Sequence, residues 1–352
     1  ISDFFYRTPV LPAEAEVDGR GTLIVDSNGD YLPDPAPQSL VDSITGASLD
    51  PADYLTADAG SASGWVLLNP IAAQFPGGYN PDFGANISDM AVLVGLRGET
   101  GGGISWDVRA RVAESEADYV LGETINPSLG RLSPTNFKPG RLTQEETALT
   151  ADFVKPLDVG NFVSPLNLAF GVEYRKETNK IAAGDDASIA TGPTFAQFGV
   201  GSDGFQGFPT ASAGSFDSDS IAGYIDLEAD VTDNFSAGAA IRVEDYDKFG
   251  NTFDGKLAGR LQVTDTFALR ATVNTGFRAP TPGQVNTLNV TTSSDSSGNL
   301  IPFGTYPVSH PIALALGSRP LDPEESTSFT IGGIVVVSET SCVTVDGDVC
   351  RF

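Results

Sequence analysis

Few residues in this sequence have the types and spacing that covalent or metal chemistry needs. There is one histidine, His310, in the proline-rich stretch YPVSHPIAL. A Ser-His-Asp hydrolase would have to use it, and no Gly-x-Ser-x-Gly elbow presents a nucleophile. Carboxylates are plentiful, but no spacing singles out a pair at glycosidase separation. The residues do not point to an enzyme. Asp26, Asn28 and Asp30 surround Gly29 with oxygen ligands at alternate positions, as a loop wrapping a calcium ion does. The terminal glutamate of a full calcium loop is missing, so a plain surface turn is the simpler reading, and calcium is the one cofactor candidate. Cys342 and Cys350 can close a small hairpin as a disulfide in an oxidising compartment, or remain free thiols. CVTVDGDVC lacks the further cysteines or histidines of a structural zinc site.

The other candidate residues act by charge, and each sits at alternate positions of an otherwise apolar run. Asp107, Arg109 and Arg111 alternate with Trp106, Val108, Ala110 and Val112. Glu173 and Arg175 alternate with Leu168, Phe170, Val172 and Tyr174 in LNLAFGVEYRKE. Between Gly214 and Pro282 the same pattern recurs in four runs with two tight turns. Asp226 and Glu228 oppose Ile225 and Leu227; Arg242 opposes Ile241 and Val243; Lys256 and Arg260 oppose Leu257 and Leu261; Arg270 opposes Leu269 and Ala271. Period two predicts strands with one apolar and one polar face. Runs of about ten residues exceed the usual strand of five or six. The apolar sides need an apolar medium and the charges need water or partners. A large transmembrane barrel supplies both. A soluble sandwich or long-stranded barrel divides them another way.

Composition narrows the classes. Twenty basic against 46 acidic residues give a formal charge of −26, which argues against a nucleic-acid partner. No window of about twenty apolar residues exists for a helical span. ISDFFYRTPV has no basic n-region followed by an apolar h-region, so a removed leader or a longer parent chain is expected.

The connections sharpen the reading. Short links fall near 100–103, 156–164, 231–234 and 264–266. The intervening links fall near 114–145, 178–217, 245–253 and 279–325, and three of these are long. Strands running up and down across a bilayer give this alternation, with short periplasmic turns and long outer loops. The expected organisation is a loop-rich region over 1–86 forming an extracellular barrel loop, a barrel segment with long extracellular loops over 87–337, and a cysteine-bearing tail over 338–352.

Several phrases resemble the TonB-dependent outer-membrane receptors. TGFRAPTPGQ at 275–284 resembles the segment after a late barrel strand, and LDPEESTSFTIGG at 321–333 the strand that follows. LNLAFGVEYRKE at 166–177 resembles a mid-barrel strand, and INPSLGRLSPTNFKPG at 125–140 an extracellular loop. The resemblance implies an all-β, transmembrane antiparallel barrel of 22 strands filled by an N-terminal plug. About nine strands and no plug are readable here, so an incomplete part of such a barrel is expected. It also implies uptake of a bulky, scarce solute (siderophore-bound iron, cobalamin or an oligosaccharide) across the outer membrane of a Gram-negative bacterium. The implied partners are outer-membrane lipid, the solute, and a TonB-type energy-coupling protein acting through the plug and its TonB box. A passive porin and a secreted acidic β-rich adhesin or binding protein remain the alternatives.

Within that resemblance, Arg109, Arg111, Glu173, Arg175, Asp226, Glu228, Arg242, Lys256, Arg260 and Arg270 face the lumen. They either contact the plug or satisfy one another. Phe195, Phe198, Phe205 and Phe208 offer a ring surface for a bulky ligand, or pack loop on loop. Arg278, after the Gly-Phe pair, contacts ligand or braces neighbouring loop backbone.

Overall fold

The computed structural model describes residues 35–294 and 300–336. Asp26, Asn28, Asp30, Cys342 and Cys350 lie outside the described residues. The described part of the first region is more ordered than its loop-like composition implies. It holds helix α1 (Gln38–Gly46), a small hairpin of β1 (Leu55–Ala57) and β2 (Trp65–Leu67), and the short helix α2 (Pro70–Gln74). Leu40, Val41 and Ile44 recur at helical spacing and pack with Ala36, Tyr54, Leu55 and Leu67 into a separate small core.

The long strands follow: β3 (Asp82–Glu99), β4 (Ser105–Gly122), β5 (Phe137–Leu157), β6 (Leu166–Ala182), β7 (Gly214–Thr232), β8 (Phe235–Tyr246), β9 (Gly250–Thr264) and β10 (Phe267–Arg278). After a small hairpin of β11 (Asn289–Ser294) and β12 (Leu300–Thr305) comes β13 (Glu324–Val335). Nine strands make one antiparallel sheet in the order β13-β10-β9-β8-β7-β6-β5-β4-β3. It is an up-and-down meander, and among the described residues its two edges do not pair with each other.

Register carries the two-faced pattern across the whole sheet. Val108 lies opposite Ala151, Ala151 opposite Val172, Val172 opposite Gly223 and Gly223 opposite Val243. One residue along, Arg109 lies opposite Thr150, Thr150 opposite Glu173, Glu173 opposite Ala222 and Ala222 opposite Glu244. A slip of one residue would exchange the faces, so the apolar medium fixes the pairing. Among the described residues nothing covers the apolar face: Val172 is 56% exposed, Leu257 61% and Phe329 71%. A second sheet packed on this face, as in a soluble sandwich, would have buried them. At the short-turn end, aromatic rings cover glycines on the neighbouring strand. A Cβ on Gly98 would fall 2.8 Å from the Trp106 ring, and one on Gly333 would fall 3.2 Å from Phe267. Phe153 and Phe170 stack at 5.2 Å nearby. Such a ring girdle suits a membrane interface.

Several strands run further than their alternation shows. β4 and β5 continue through Glu114–Asp118 and Thr143–Glu146, where both faces are polar and period two fades. β3 likewise starts at Asp82, inside the region expected to be loop. The 245–253 link shrinks to residues 247–249.

Replacing Val172 by Arg should cost about 2–4 kcal/mol of stability in lipid. Asn167→Arg, on the other face of β6 and opposite Glu228, should cost less than about 1 kcal/mol. Urea titration of the complete protein folded into lipid vesicles reads both values; equal costs would contradict the assignment of faces.

Candidate functional site

The polar face divides into a part that neutralises itself and a part that does not. On β4 and β5, Arg109 pairs with Asp107 at 2.9 Å and also with Asp152, and Arg111 pairs with Glu146. Tyr224 donates to Asp152 at 2.7 Å across β6. It can do so because Gly171 leaves room: a Cβ there would fall 2.6 Å from the tyrosine ring. On β6 to β8, Arg175 pairs with Glu173 at 2.9 Å, and Arg242 reaches Glu173 at 3.6 Å and Glu244 at 2.9 Å. Glu244 is only 4% exposed and accepts a further hydrogen bond from Ser220 at 2.9 Å. Thus Arg109, Arg111, Glu173, Arg175 and Arg242 sit in networks with other residues of the sheet. Asp226, Glu228, Lys256, Arg260 and Arg270 have no ion pair among the described residues.

Above the apolar band, charge pairs continue between strands. Arg141 bridges Glu116 and Asp118 at 3.3 and 3.2 Å. Lys176 pairs with Asp217 at 3.2 Å, and Thr178 donates to the same carboxylate at 2.8 Å. That hydrogen bond first, and the Lys176 contact second, hold the Asp217 carboxyl below its usual range. The sign follows: this bracing is present above the ordinary carboxylate range and is lost as pH falls through the lowered value.

Over this end of the sheet two connections, 123–136 and 183–213, fold against each other. The second carries helices α3 (Asp186–Ile189) and α4 (Phe195–Phe198). Asn126 is fully buried and ties them together: its amide donates to the Ala187 and Ala190 carbonyls at 2.8 and 2.9 Å. Its Oδ1 accepts from the Ser128 backbone and hydroxyl. Ser128 in turn accepts from the Gly192 N–H at 2.8 Å. Gly192 is required there, since a Cβ would lie 1.9 Å from the Ser128 carbonyl oxygen. The N-terminal unit docks on the same assembly through Gln74, which donates to the Gly130 carbonyl at 3.2 Å. Tyr79 donates to the Asp203 carboxylate.

The candidate phenylalanines separate accordingly. Phe205 stacks on Phe83 at 4.5 Å and lies 5.8 Å from Phe208, and Tyr119 completes the cluster. These two rings fasten the loop to the tips of β3 and β4. Phe198 is half-buried, whereas Phe195 is 49% exposed on α4. Leu132, on the adjoining 123–136 connection, is 58% exposed. Sequence reasoning missed Asn126, Phe83 and Tyr119; the NPS turn beginning at Asn126 was the one local signal for the first. Arg278 ends β10 opposite Glu324. After β10 the connection carries α5 (Pro282–Asn286) and α6 (Pro311–Ala315). His310 caps α6 by accepting from the Ile312 N–H at 3.2 Å, and its ring lies 4.6 Å from Tyr306. Among the described residues no cluster of three or more His, Cys, Asp or Glu could hold a metal ion.

A family model described as TonB dependent receptor-like, beta-barrel, matches residues 31–335. The chain belongs to this family. The sheet is therefore part of a transmembrane receptor barrel, and the family comprises receptors, not enzymes. Among solved structures, a mutant of the ferric enterobactin receptor PfeA of Pseudomonas aeruginosa is similar at TM-score 0.50 and 14% identity, with 72% of this chain and 33% of that one covered. The siderophore receptor PirA of Acinetobacter baumannii matches at TM-score 0.49 and 15% identity, with the same coverage. The chain thus spans about a third of the length of these structures. No curated protein matches it by sequence.

Two outcomes follow for the receptor barrel. Asn126→Ala strips buried carbonyls of their donors at a cost of about 1–3 kcal/mol each. Limited proteolysis should then cut within 183–213 faster than in the parent protein, while heat-modifiable migration of the barrel persists. Arg242→Ala leaves the buried Glu244 carboxylate without its cation and should cost about 3–5 kcal/mol. Adding Glu244→Gln should recover most of that loss in the same urea titration.

Proposed function

We propose that this chain is the wall and loop-bearing part of an outer-membrane receptor of a Gram-negative bacterium. It imports a bulky, scarce solute by coupling to a TonB-type protein through an interior plug carried by a longer protein. The observation that carries this is the asymmetry between the two ends of the sheet. Among the described residues, one end has only short turns. The other bears a folded cap held by a buried amide and an aromatic cluster, with Phe195 and Leu132 left facing outward. A rigid surface with a few exposed apolar groups suits capture of a large ligand at low entropic cost. The similar proteins are named as receptors for siderophores and ferric enterobactin, which favours a ferric chelate over cobalamin or an oligosaccharide. The transport step involves no covalent chemistry and no resident cofactor. The wall contributes a polar surface for the plug, and the cap selects the solute.

Growth rescue tests the reading. Iron-starved cells that lack their other chelate receptors should grow on at least one ferric chelate when the full-length receptor is expressed. Growth should stop when the coupling protein is deleted, and Phe195→Ala should raise the chelate concentration needed by about tenfold, the loss of one well-placed aromatic contact. Rescue that persists without the coupling protein would instead indicate a passive pore. No rescue by any chelate, cobalamin or oligosaccharide from a correctly inserted receptor would overturn the proposal.

A further inference from the structure

The ladder between β9 and β10 stops before either strand does. Lys256 opposite Asn274 is its last pair, although β9 begins at Gly250 and β10 runs to Arg278. Past that pair the Gly255 N–H donates to the Thr275 hydroxyl at 3.0 Å, in place of a backbone carbonyl. The tip of β10 keeps its pairing with β13, as far as Arg278 opposite Glu324, but it turns inward. Phe277 lies edge-on to Tyr246 of β8 at 5.8 Å, and Tyr246 is two residues beyond Glu244 on the polar face. Helix α5 continues past β9 and β8 to rest on β6 and β7. Gly283 sits against Asn179, where an added Cβ would fall 3.4 Å from the amide. Asn179 follows Glu173 and Arg175 at alternate positions of β6, so this contact is on the lumen side. Residues 279–287 therefore form a strap across the inside of the wall, at the end that bears the cap.

The strap is firm within itself and loosely seated. Thr281 and Gln284 make a reciprocal capping box, the Thr281 hydroxyl accepting from the Gln284 N–H at 3.2 Å and the Thr281 N–H donating to the Gln284 side chain at 2.9 Å. Asn286 donates to the Pro282 carbonyl at 2.8 Å, and the Thr287 hydroxyl to the Gly283 carbonyl at 2.6 Å. These bonds stay inside the strap. Pro282 is the one residue of α5 that is buried. Beneath the helix the Asn179 Oδ1 is buried with no hydrogen-bond partner, while its amide turns away to Gln144 of β5 at 3.4 Å. A seat made of one proline ring and an unmet acceptor has little to lose on opening. Further along the same connection β12 touches α4, the helix that carries Phe195. We propose that the strap is a gate, seated on β6 and β7 at rest and lifting as one piece to pass a solute captured at the cap. The inference rests on the proposed receptor function and adds the step between capture and entry. A bulky solute held at the cap reaches the interior along the polar face, and the strap lies across that face.

The test locks the strap in the full-length receptor, with Cys342→Ser and Cys350→Ser as background. Asn179→Cys with Gly283→Cys places two thiols within disulfide reach. The bond should form on mild oxidation of the resting receptor. The oxidised receptor should still bind the ferric chelate at the cell surface but lose its uptake, and a reductant should restore uptake; each single variant should transport as the parent does. No disulfide in a receptor that shows heat-modifiable migration would overturn the proposal, because α5 would not be seated there. So would full uptake by the locked receptor. Loss of surface binding together with uptake would also overturn it, by making α5 part of the surface that holds the solute. Lifting is read without any solute in Asn179→Cys alone: a bulky, impermeant maleimide should react slowly, and adding Pro282→Asp, which puts a charge into the seat, should speed the reaction. An unchanged rate would contradict the gate. A failed growth screen beside a positive lock and this faster labelling would reject the proposed solute uptake and leave the moving strap intact.

Discussion

Every feature of this structure depends on the continuous antiparallel hydrogen-bond ladder. In hydrocarbon a backbone N–H or C=O without a partner costs several kcal/mol, so a chain crossing as strands must pair each one with a neighbour. Nine strands do so here in sequence order apart from the β11–β12 hairpin. Once the ladder is fixed, the side-chain period of two does the rest. Val172 and its cross-strand neighbours must meet an apolar medium, and Glu173 and its neighbours must not. The same ladder sets what the wall needs: among the described residues the two edges of the sheet do not pair with each other, and their rows of backbone groups need the further strands of a barrel.

The polar face shows how charge is managed once the backbone is satisfied. On β4 to β8, Arg109, Arg111, Arg141, Arg175, Lys176, Lys180 and Arg242 each sit beside a carboxylate; Gly171 leaves room for the Tyr224 ring, and Ser220 donates a hydrogen bond to Glu244. Such pairs stiffen the wall and cancel its field. Lys256, Arg260 and Arg270 keep theirs. The outer end solves a different problem. Long connections in water cannot rely on the bilayer, so 123–136 and 183–213 carry their own buried amide, serines and ring cluster, and the first region adds a core of its own.

How much of this the sequence revealed follows from where the medium changes. Within the apolar band, alternation is forced, and strands such as Phe235–Tyr246 and Leu166–Ala182 begin where the pattern begins. Beyond the band both faces are wet. Glu114, Ser115 and Glu116 carry no alternation, so β4 reads as ending some nine residues early. The polar face was legible by residue type, but which charges pair depends on cross-strand neighbours that only register supplies. Arg111 and Glu146 are far apart in sequence and adjacent in the sheet. The cap was least legible. Asn126 and Phe205 look like ordinary loop residues until the two connections are brought together, and the small α1 core was hidden by surrounding proline and glycine.

The division of faces can be read directly by spin labels placed at successive residues, with the receptor in lipid vesicles. Collision with dissolved oxygen reports hydrocarbon, and collision with a water-soluble nickel chelate reports water. Labels at Val172, Leu257 and Val273 should be reached by oxygen and shielded from nickel, while those at Glu173, Lys256 and Thr272 should show little collision with oxygen. If both sets are shielded from oxygen alike, the apolar face is packed within protein, and the transmembrane wall described here does not exist.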